Sequence, residues 1–405
     1  MTSDLRDRLR AAMRQPTRGK DELRQASVTE LPNLSDLGGH WFESKEGPGY
    51  VIESRYEAGH EHGSIPLHNA LRIPTDALAK QAKDPRLAKC DPTSFLYFDT
   101  ETTGLGGAGV MVFLAGTAKF EGSTVVLRQY LLPAPNFEGG LLGGVAKDLA
   151  GAGALVSYNG KSFDVPVLET RYVLSRMRPA FKTLPHLDLL HPNRRLFRGT
   201  FDSHKLTRME VELLGFVREQ DCPSAEVPER YFKFQRSGDP THITPVLRHN
   251  AWDILSLVAL TAHLAEVVGG GFHPLQSARS AEYAGDLAQA ATHYEASVEE
   301  AGSKAERLDS MEGAARCHAK SGDHESAARW WRHLIDEPYA RRVTPYVELA
   351  KILEHREKDI AGAFAVTNIA TESVRRGLMR PGAPSGQTTL ETLEHRRRRL
   401  MRKLR

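Results

Sequence analysis

The sequence predicts an α/β domain, a mixed five-stranded sheet flanked by helices, followed by an all-α region of helical repeats. Two observations carry this. Between residues 91 and 268 three β-rich runs, "FLYFDTE", "VMVFLAGTAKF" and "TVVLRQYLLP", are joined by short glycine-containing connections and then give way to alternating strands and helices. Antiparallel neighbours leading into a β/α section make a mixed sheet with helical cover. After "GGGFHP" at 269–274 the chain reads as helical throughout, with Asp286, Asp323 and Asp359 recurring at near-equal intervals and Ala290, Ala327 and Ala363 keeping step.

The first segment, 1–37, is polar and rich in arginine, and Leu5, Leu9 and Met13 at four-residue spacing predict a short basic helix. Residues 38–90 read as a small accessory region of short strands broken by Gly and Pro. Its His60, His62 and His68 lack further spaced ligands, so they are expected at the surface rather than around zinc.

In the 91–268 domain the expected elements after the three strands are a helix over 138–150, a strand at 154–160 and a helix from Asp164. A strand over 186–190, a helix through "DSHKLTRMEVELLG" and a long helix from Pro245 to Val268 follow. The glycines after Val268 mark a linker across which few contacts should pass. Residues 275–380 match a three-unit tetratricopeptide-like solenoid, whose small alanines let helices approach. The tail, 381–405, carries a Thr388 to Glu391 capping box and a run of cations from Arg396, so it predicts a basic helix that either caps the solenoid or meets phosphate.

Composition narrows the class. The chain has 405 residues, 40% hydrophobic, with a net charge of +3, too mild a field to announce a polyanionic partner by itself. Neither a membrane span nor a secretory leader is indicated, and cytoplasm is the expected location. Cys90, Cys222 and Cys317 lie far apart and form no C-x-x-C pair, which predicts reduced thiols and no thiolate zinc site.

Acidic residues sit where elements end. In "FLYFDTETTGL" an apolar strand runs into Asp99 and Glu101, which share a face because strand side chains repeat every two residues. Asp164 in "SYNGKSFDVPVL" follows a turn at Asn159 and Gly160 and begins a helix, where a capping role is also open to it. Asp253 in "RHNAWDILSLVAL" lies on an apolar helix, where a carboxylate needs a partner or a metal.

Taken together, "FDTETTGL", "YNGKSFD" and "HNAWD" resemble the DEDD exonuclease superfamily. The phrases "LVSYNGKSFDVPVL", "HLDLLHPNRRLF", "HKLTRMEVELLGF" and "VLRHNAWDILSLVAL" resemble its bacterial YprB-like branch, whose members commonly carry a C-terminal helical-repeat region. The resemblance implies an RNase H-like fold and a 3′–5′ exonuclease acting on DNA or RNA with two divalent cations, Mg²⁺ or Mn²⁺. It implies that Asp99 bridges both ions, that Glu101 and Asp253 complete the first ion's site, and that Asp164 holds the second. The superfamily's base is a histidine five residues before the last Asp or a tyrosine four before it; His249 stands four before Asp253, on the same helix face. Thr102, Gly104, Asn159, Lys161 and Lys205 are candidate substrate contacts, and the repeats are a candidate surface for a protein partner. The alternative is a catalytically weak scaffold that binds nucleic acid and recruits proteins through its repeats.

Overall fold

Four consecutive large residues, Phe95 to Phe98, are all buried because they belong to a strand covered on both faces. Phe95 and Tyr97 enter one core, and Leu96 and Phe98 enter the other. The computed structural model describes residues 31–104, 109–178, 181–270, 273–337, 342–379 and 390–405. The expected helix at Leu5 to Met13, and Thr388 of the capping box, lie outside these.

The main sheet has seven strands: β1 (His40–Ser44), β2 (Gly47–Tyr56), β3 (Phe95–Thr102), β4 (Val112–Glu121), β5 (Thr124–Leu131), β6 (Ala154–Ser157) and β7 (His186–Asp188). Their order is β1-β2-β5-β4-β3-β6-β7; β6 and β7 run parallel to β3, and the other pairs are antiparallel. The five expected strands are all present. The sheet is wider than expected because β2 pairs along β5, from Tyr50 opposite Leu131 to Tyr56 opposite Val125, and so covers an edge that would otherwise be open.

The second half of the 38–90 region departs from the expected strands. Beyond a two-residue hairpin, Glu61–His62 with Ile65–Pro66, it folds into a 3₁₀ turn, Leu67–Arg72, and helix α1 (Thr75–Ala82), which buries Leu78 and Ala79. His60 is exposed, but His62 is buried, contrary to a surface position.

Helices α2 (Glu138–Ala150) and α3 (Asp164–Leu174) cover the sheet face of Leu96 and Phe98. After β7 come α4 (Leu190–Leu196), and α5 (Leu206–Met209) continuing as a π-helical turn, Glu210–Leu214, that closes on Gly215 at φ 65°. Helix α6 (Val227–Ser237), which no sequence pattern had announced, adds Tyr231 and Phe234 to the α2–α3 layer. Helix α7 (Thr244–Val268) lines the opposite face with Ile254, Leu257, Val258 and Ala262. Its composition would let it cross a membrane, yet 78% of its apolar window is buried inside the protein.

The C-terminal region is helical: α8 (Pro274–Ala284), α9 (Leu287–Glu300), α10 (Lys304–Ser321), α11 (His324–Asp336), α12 (Thr344–Ile352), α13 (Ile360–Arg375) and α14 (Leu390–Leu404). The recurring aspartates are N-caps: Asp286, Asp323 and Asp359 accept from the backbone N–H groups of Gln289, Ser326 and Gly362 at 3.1, 3.0 and 2.8 Å. The alanines in step with them are fully buried. In the basic last helix, Arg399 and Lys403 bind the buried Glu354 at 2.5 and 2.7 Å, and Arg397 binds Glu372 at 3.0 Å, so much of this charge is tied to its own fold.

Contacts do cross the glycine run, contrary to a loose linker. Gln81 at the end of α1 donates to the carbonyl and hydroxyl of Ser280 on α8, at 3.1 and 2.8 Å, and Arg279 donates to the Leu196 carbonyl at 2.7 Å.

Glu282 fixes the start of the helical region, accepting from Arg316 at 2.8 and 2.7 Å and from Tyr294 at 2.9 Å. Burial opposes its charge, yet the Arg316 bonds together with Tyr294 and Lys320 hold its pKa down at about 2. A depressed carboxylate stabilises above its unfolded pKa and loses that contribution as pH falls from about 4.5 toward about 2. Glu282→Gln should therefore cost about 1–2 kcal/mol at pH 7, after allowance for the partial exposure of Arg316. In acid melts the difference between variant and native protein should shrink toward pH 2.

Candidate active site

Asp99 and Glu101 continue the face of β3 that begins with Phe95 and Tyr97, the face packed against α7. Both carboxylates are thus carried toward that helix. Opposite Asp99 on β4 stands Gly116, where a Cβ would lie 2.3 Å from Asn250 Oδ1. The missing side chain admits Asn250, whose Nδ2 donates to Asp99 Oδ2 at 3.0 Å. Gln129, beside Gly116 on β5, steadies the amide: its Nε2 donates to Asn250 Oδ1 at 3.0 Å and to the Leu247 carbonyl at 2.7 Å. A register shift between Glu101 and Thr102 ends the regular pairing.

From α7, His249 and Asp253 meet this strand end one helical turn apart. His249 Nε2 lies 3.4 Å from Asp253 Oδ2 and 3.9 Å from Glu101 Oε1. Glu101, His249 and Asp253 each bring one donor atom within 4.8 Å of the others.

Asp164 approaches from the other layer. It begins α3 without capping it; its Oδ1 instead accepts from the Thr100 backbone N–H at 3.1 Å and hydroxyl at 2.5 Å. Thr100 shares the phase of Leu96 and Phe98, whose core includes Leu168 of α3, so the pairing follows from strand alternation. Burial raises the Asp164 pKa to about 6 despite the Thr100 bonds. Burial first, then repulsion from Asp253 and Asp164, pushes Asp99 and Glu101 well above the usual carboxylate range.

The turn before Asp164 is held from β7. Asp188 accepts from the backbone N–H of Asn159, at φ 66°, and of Lys161, at 2.7 and 3.1 Å, and of Leu190 at 3.2 Å. Burial lowers the His186 pKa to about 3 and the Arg86 bond lowers that of Asp84, and the Lys161 charge adds to both shifts. Thr102 donates its hydroxyl to the Gly104 carbonyl at 2.7 Å, closing the turn after β3, and Lys205 is exposed at the start of α5. The structure thus gathers Asp99, Glu101, Asp164, His249 and Asp253, and gives Asn159, Thr102 and Gly104 roles in the flanking turns.

Sequence reasoning missed the cation in this cluster. Arg218, whose side chain is only 5% exposed, bonds Asp253 Oδ1 and donates to Glu210 at 2.5 and 2.8 Å and to Asp221 at 3.2 Å. Ser256 on α7 also donates to Glu210, at 2.6 Å, and meets His62 Nε2 at 2.8 Å. Asp221 Oδ1 lies 2.7 Å from His249 Nδ1, the shortest contact of that ring, with Arg218 Nη1 3.2 Å from the same nitrogen; in the tautomer that donates from Nδ1 to Asp221, the Nε2 lone pair faces Glu101 and Asp253. Although burial pushes Asp221 up, its hydrogen bond with His249 and the neighbouring Arg218 guanidinium hold it below the usual range. The charged stretch "FVREQDC" after a helix-ending glycine was the available signal, but such runs ordinarily mark a solvated loop.

The donor set suits hard divalent cations. Among the described residues Arg218 is the cation bonded within this set, and it engages Asp253, Glu210 and Asp221. Asp99, Glu101 and Asp164 are left without an ion-paired guanidinium, which leaves an excess of negative charge among oxygen donors.

The RNase_H superfamily profile matches residues 96–265, from β3 into α7. Over 325 residues the chain is 31% identical to YprB of Bacillus subtilis (strain 168), covering 78% of each chain.

If repulsion among these carboxylates is relieved by a bound cation, Asp99→Asn should melt at or above the native protein in chelator. Added Mn²⁺ should raise the native melting temperature and leave the variant nearly unmoved. Thermal unfolding with and without metal checks the reversal; equal metal response of both proteins would remove Asp99 from the cation site.

Proposed function

We propose, from the premise that this chain belongs to the YprB family and carries an RNase H superfamily domain, that it is a 3′–5′ exonuclease dependent on two divalent cations. Its substrate would be a DNA or RNA strand, and its place the cytoplasm. The observation that supports this most is the convergence of Asp99, Glu101, Asp164 and Asp253 beside the Nε2 lone pair of His249.

Asp99, Glu101, Asp164 and Asp253 would hold Mg²⁺ or Mn²⁺, which when bound supply Lewis acidity to the scissile phosphate, the attacking water and the departing 3′ oxygen. Asn250 holds Asp99 in place through one oxygen and leaves the other unengaged by that amide. Arg218 takes Asp253 Oδ1, which turns Oδ2 toward His249. Asp221 fixes the imidazole so that Nε2 is the atom able to accept a proton from water. The intact carboxylate set speaks for an enzyme over a scaffold, and the period of the helical region supports tetratricopeptide-like repeats from 275 to 380 as a partner-binding arm.

The distances from His249 Nε2 to Glu101 and Asp253 also favour a second role, in which that nitrogen ligates a cation. The two roles separate experimentally. As a base, His249→Ala should lower turnover by roughly 10²-fold with metal affinity unchanged. As a ligand, it should raise the metal concentration needed for half-maximal rate and recover most activity at saturation. Asp221→Asn should act in the same direction as His249→Ala, more weakly.

Cleavage itself is tested with 5′-labelled single-stranded DNA and RNA plus Mg²⁺, Mn²⁺ or chelator. A descending ladder from the 3′ end, lost in Asp99→Asn and in chelator, is expected. Cleavage only at internal sites, or undiminished cleavage in the variant, would overturn the exonuclease reading.

A further inference from the structure

Away from the carboxylates, a cleft of about 440 Å³ opens where α1 and α4 of the sheet domain meet α8 and α10 of the helical region. Six of its lining side chains are cations and one is a carboxylate. Its floor holds Arg195, Arg279 and Arg316, and Lys83, Arg198 and Lys320 stand exposed at its rim.

We propose that this cleft binds phosphates of the nucleic-acid strand engaged by the carboxylate site, an inference that rests on the nuclease reading above. Glu282 is already committed to Arg316, Tyr294 and Lys320, so it does not balance the remaining four cations. Arg279 is buried, and the carboxylate it pairs with, Asp309 at 3.4 Å, is shared with Arg342. Arg195 spends its Nη2 on the Gln81 carbonyl and amide oxygen at 2.9 and 2.8 Å. Its guanidinium carbon stands over the Tyr283 ring, 3.5 Å from the centroid, and Lys83 Nζ stands 4.9 Å from the same centroid. The ring is thus covered by protein cations, which leaves charge rather than base stacking as the means of recognition. Burial lowers the pKa of both Arg195 and Arg279, as it does for cations removed from water without full compensation.

Helix α4 connects the cleft to the site. Asp188, which fixes the turn before Asp164, caps the first residue of α4. The seven residues of α4 span about 10 Å and end beside Arg198. Cations spread over three helices and the ends of two suit a chain of phosphates better than one compact anion.

The test uses the full-length protein without metal, so that strands bind but are not cut. Anisotropy titrations with a 20-nucleotide labelled DNA or RNA strand across a salt series compare the native protein with Lys83→Ala/Arg198→Ala/Lys320→Ala and with Arg198→Glu. The triple variant should bind at least tenfold more weakly near 100 mM salt. Its slope of log affinity against log salt should be shallower by about 2, at about 0.7 per lost phosphate contact. Arg198→Glu should weaken binding with an unchanged melting temperature. Equal affinities and slopes would overturn the proposal. So would a melting increase with tripolyphosphate, lost in the triple variant, in a native protein that binds neither strand; the cleft would then serve a small polyphosphate. Because binding is read without cleavage, strand binding that depends on the cleft in a protein that cuts nothing would sink the nuclease reading alone.

Discussion

The arrangement of this molecule depends on one conflict: four carboxylates meet at the end of β3, largely out of water, where they repel one another. Burial is the leading cause of the raised pKa of Asp99, Glu101 and Asp164, and mutual charge comes next for Asp99 and Glu101. A cluster of this kind is destabilising unless something else holds its members together. Here the backbone does so. Asp99 and Glu101 are fixed by strand phase, Asp253 by the register of a helix with 17 buried residues, and Asp164 by a strand edge it reaches from the opposite layer.

The surrounding polar groups then decide which oxygens are used and which are left. Asn250 takes one oxygen of Asp99, Thr100 takes Oδ1 of Asp164, and Arg218 takes Oδ1 of Asp253. Three of the four carboxylates are thus each oriented by a neighbour that engages one oxygen. Arg218 does two further things: it offsets part of the negative charge, and its bond to Asp221 draws the loop after the π-helical turn against His249. Glu210 and Ser256 hold Arg218 in turn, and His62, kept uncharged by burial that lowers its pKa to about 3, completes this chain of bonds. That role explains a buried histidine in a region that otherwise reads as surface strands.

Local sequence revealed whatever depends on local rules. The alternation of Phe95 to Glu101, the helix over 138–150, the capping aspartates and buried alanines of the helical region, and the four-residue spacing of His249 and Asp253 could all be read directly. What stayed hidden depends on partners far away in the chain. Gly116 reads as an ordinary strand glycine until Asn250 is placed 2.3 Å from its absent Cβ. Asp164 satisfies every local criterion for a helix cap, yet its bonds go to Thr100, 64 residues earlier. Arg218 looked solvated because nothing in its neighbourhood of sequence shows that Asp253 and Glu210 converge on it. The two extra strands were missed as sheet members because edge pairing with β5 is a tertiary choice that short, glycine-broken strands do not declare.

The same distinction applies to charge. A net +3 conceals two opposed regions: an acidic one at the end of β3, where carboxylates outnumber their single guanidinium, and a basic one where α4 meets the helical region. The most conspicuous cations in the sequence, those of the last helix, are partly neutralised by Glu354 and Glu372 and act as a clasp for the helices they cover. The less conspicuous ones, single arginines and lysines brought together where helices of the two regions meet, outnumber the carboxylate that lines the cleft with them. A charge run therefore measures local composition, whereas the field that a polyanion meets is set by which cations the fold leaves without carboxylates. The contacts across the glycine run give that field its shape, because Gln81 and Arg279 lock α8 onto the sheet domain and so hold cations from both regions around one cleft.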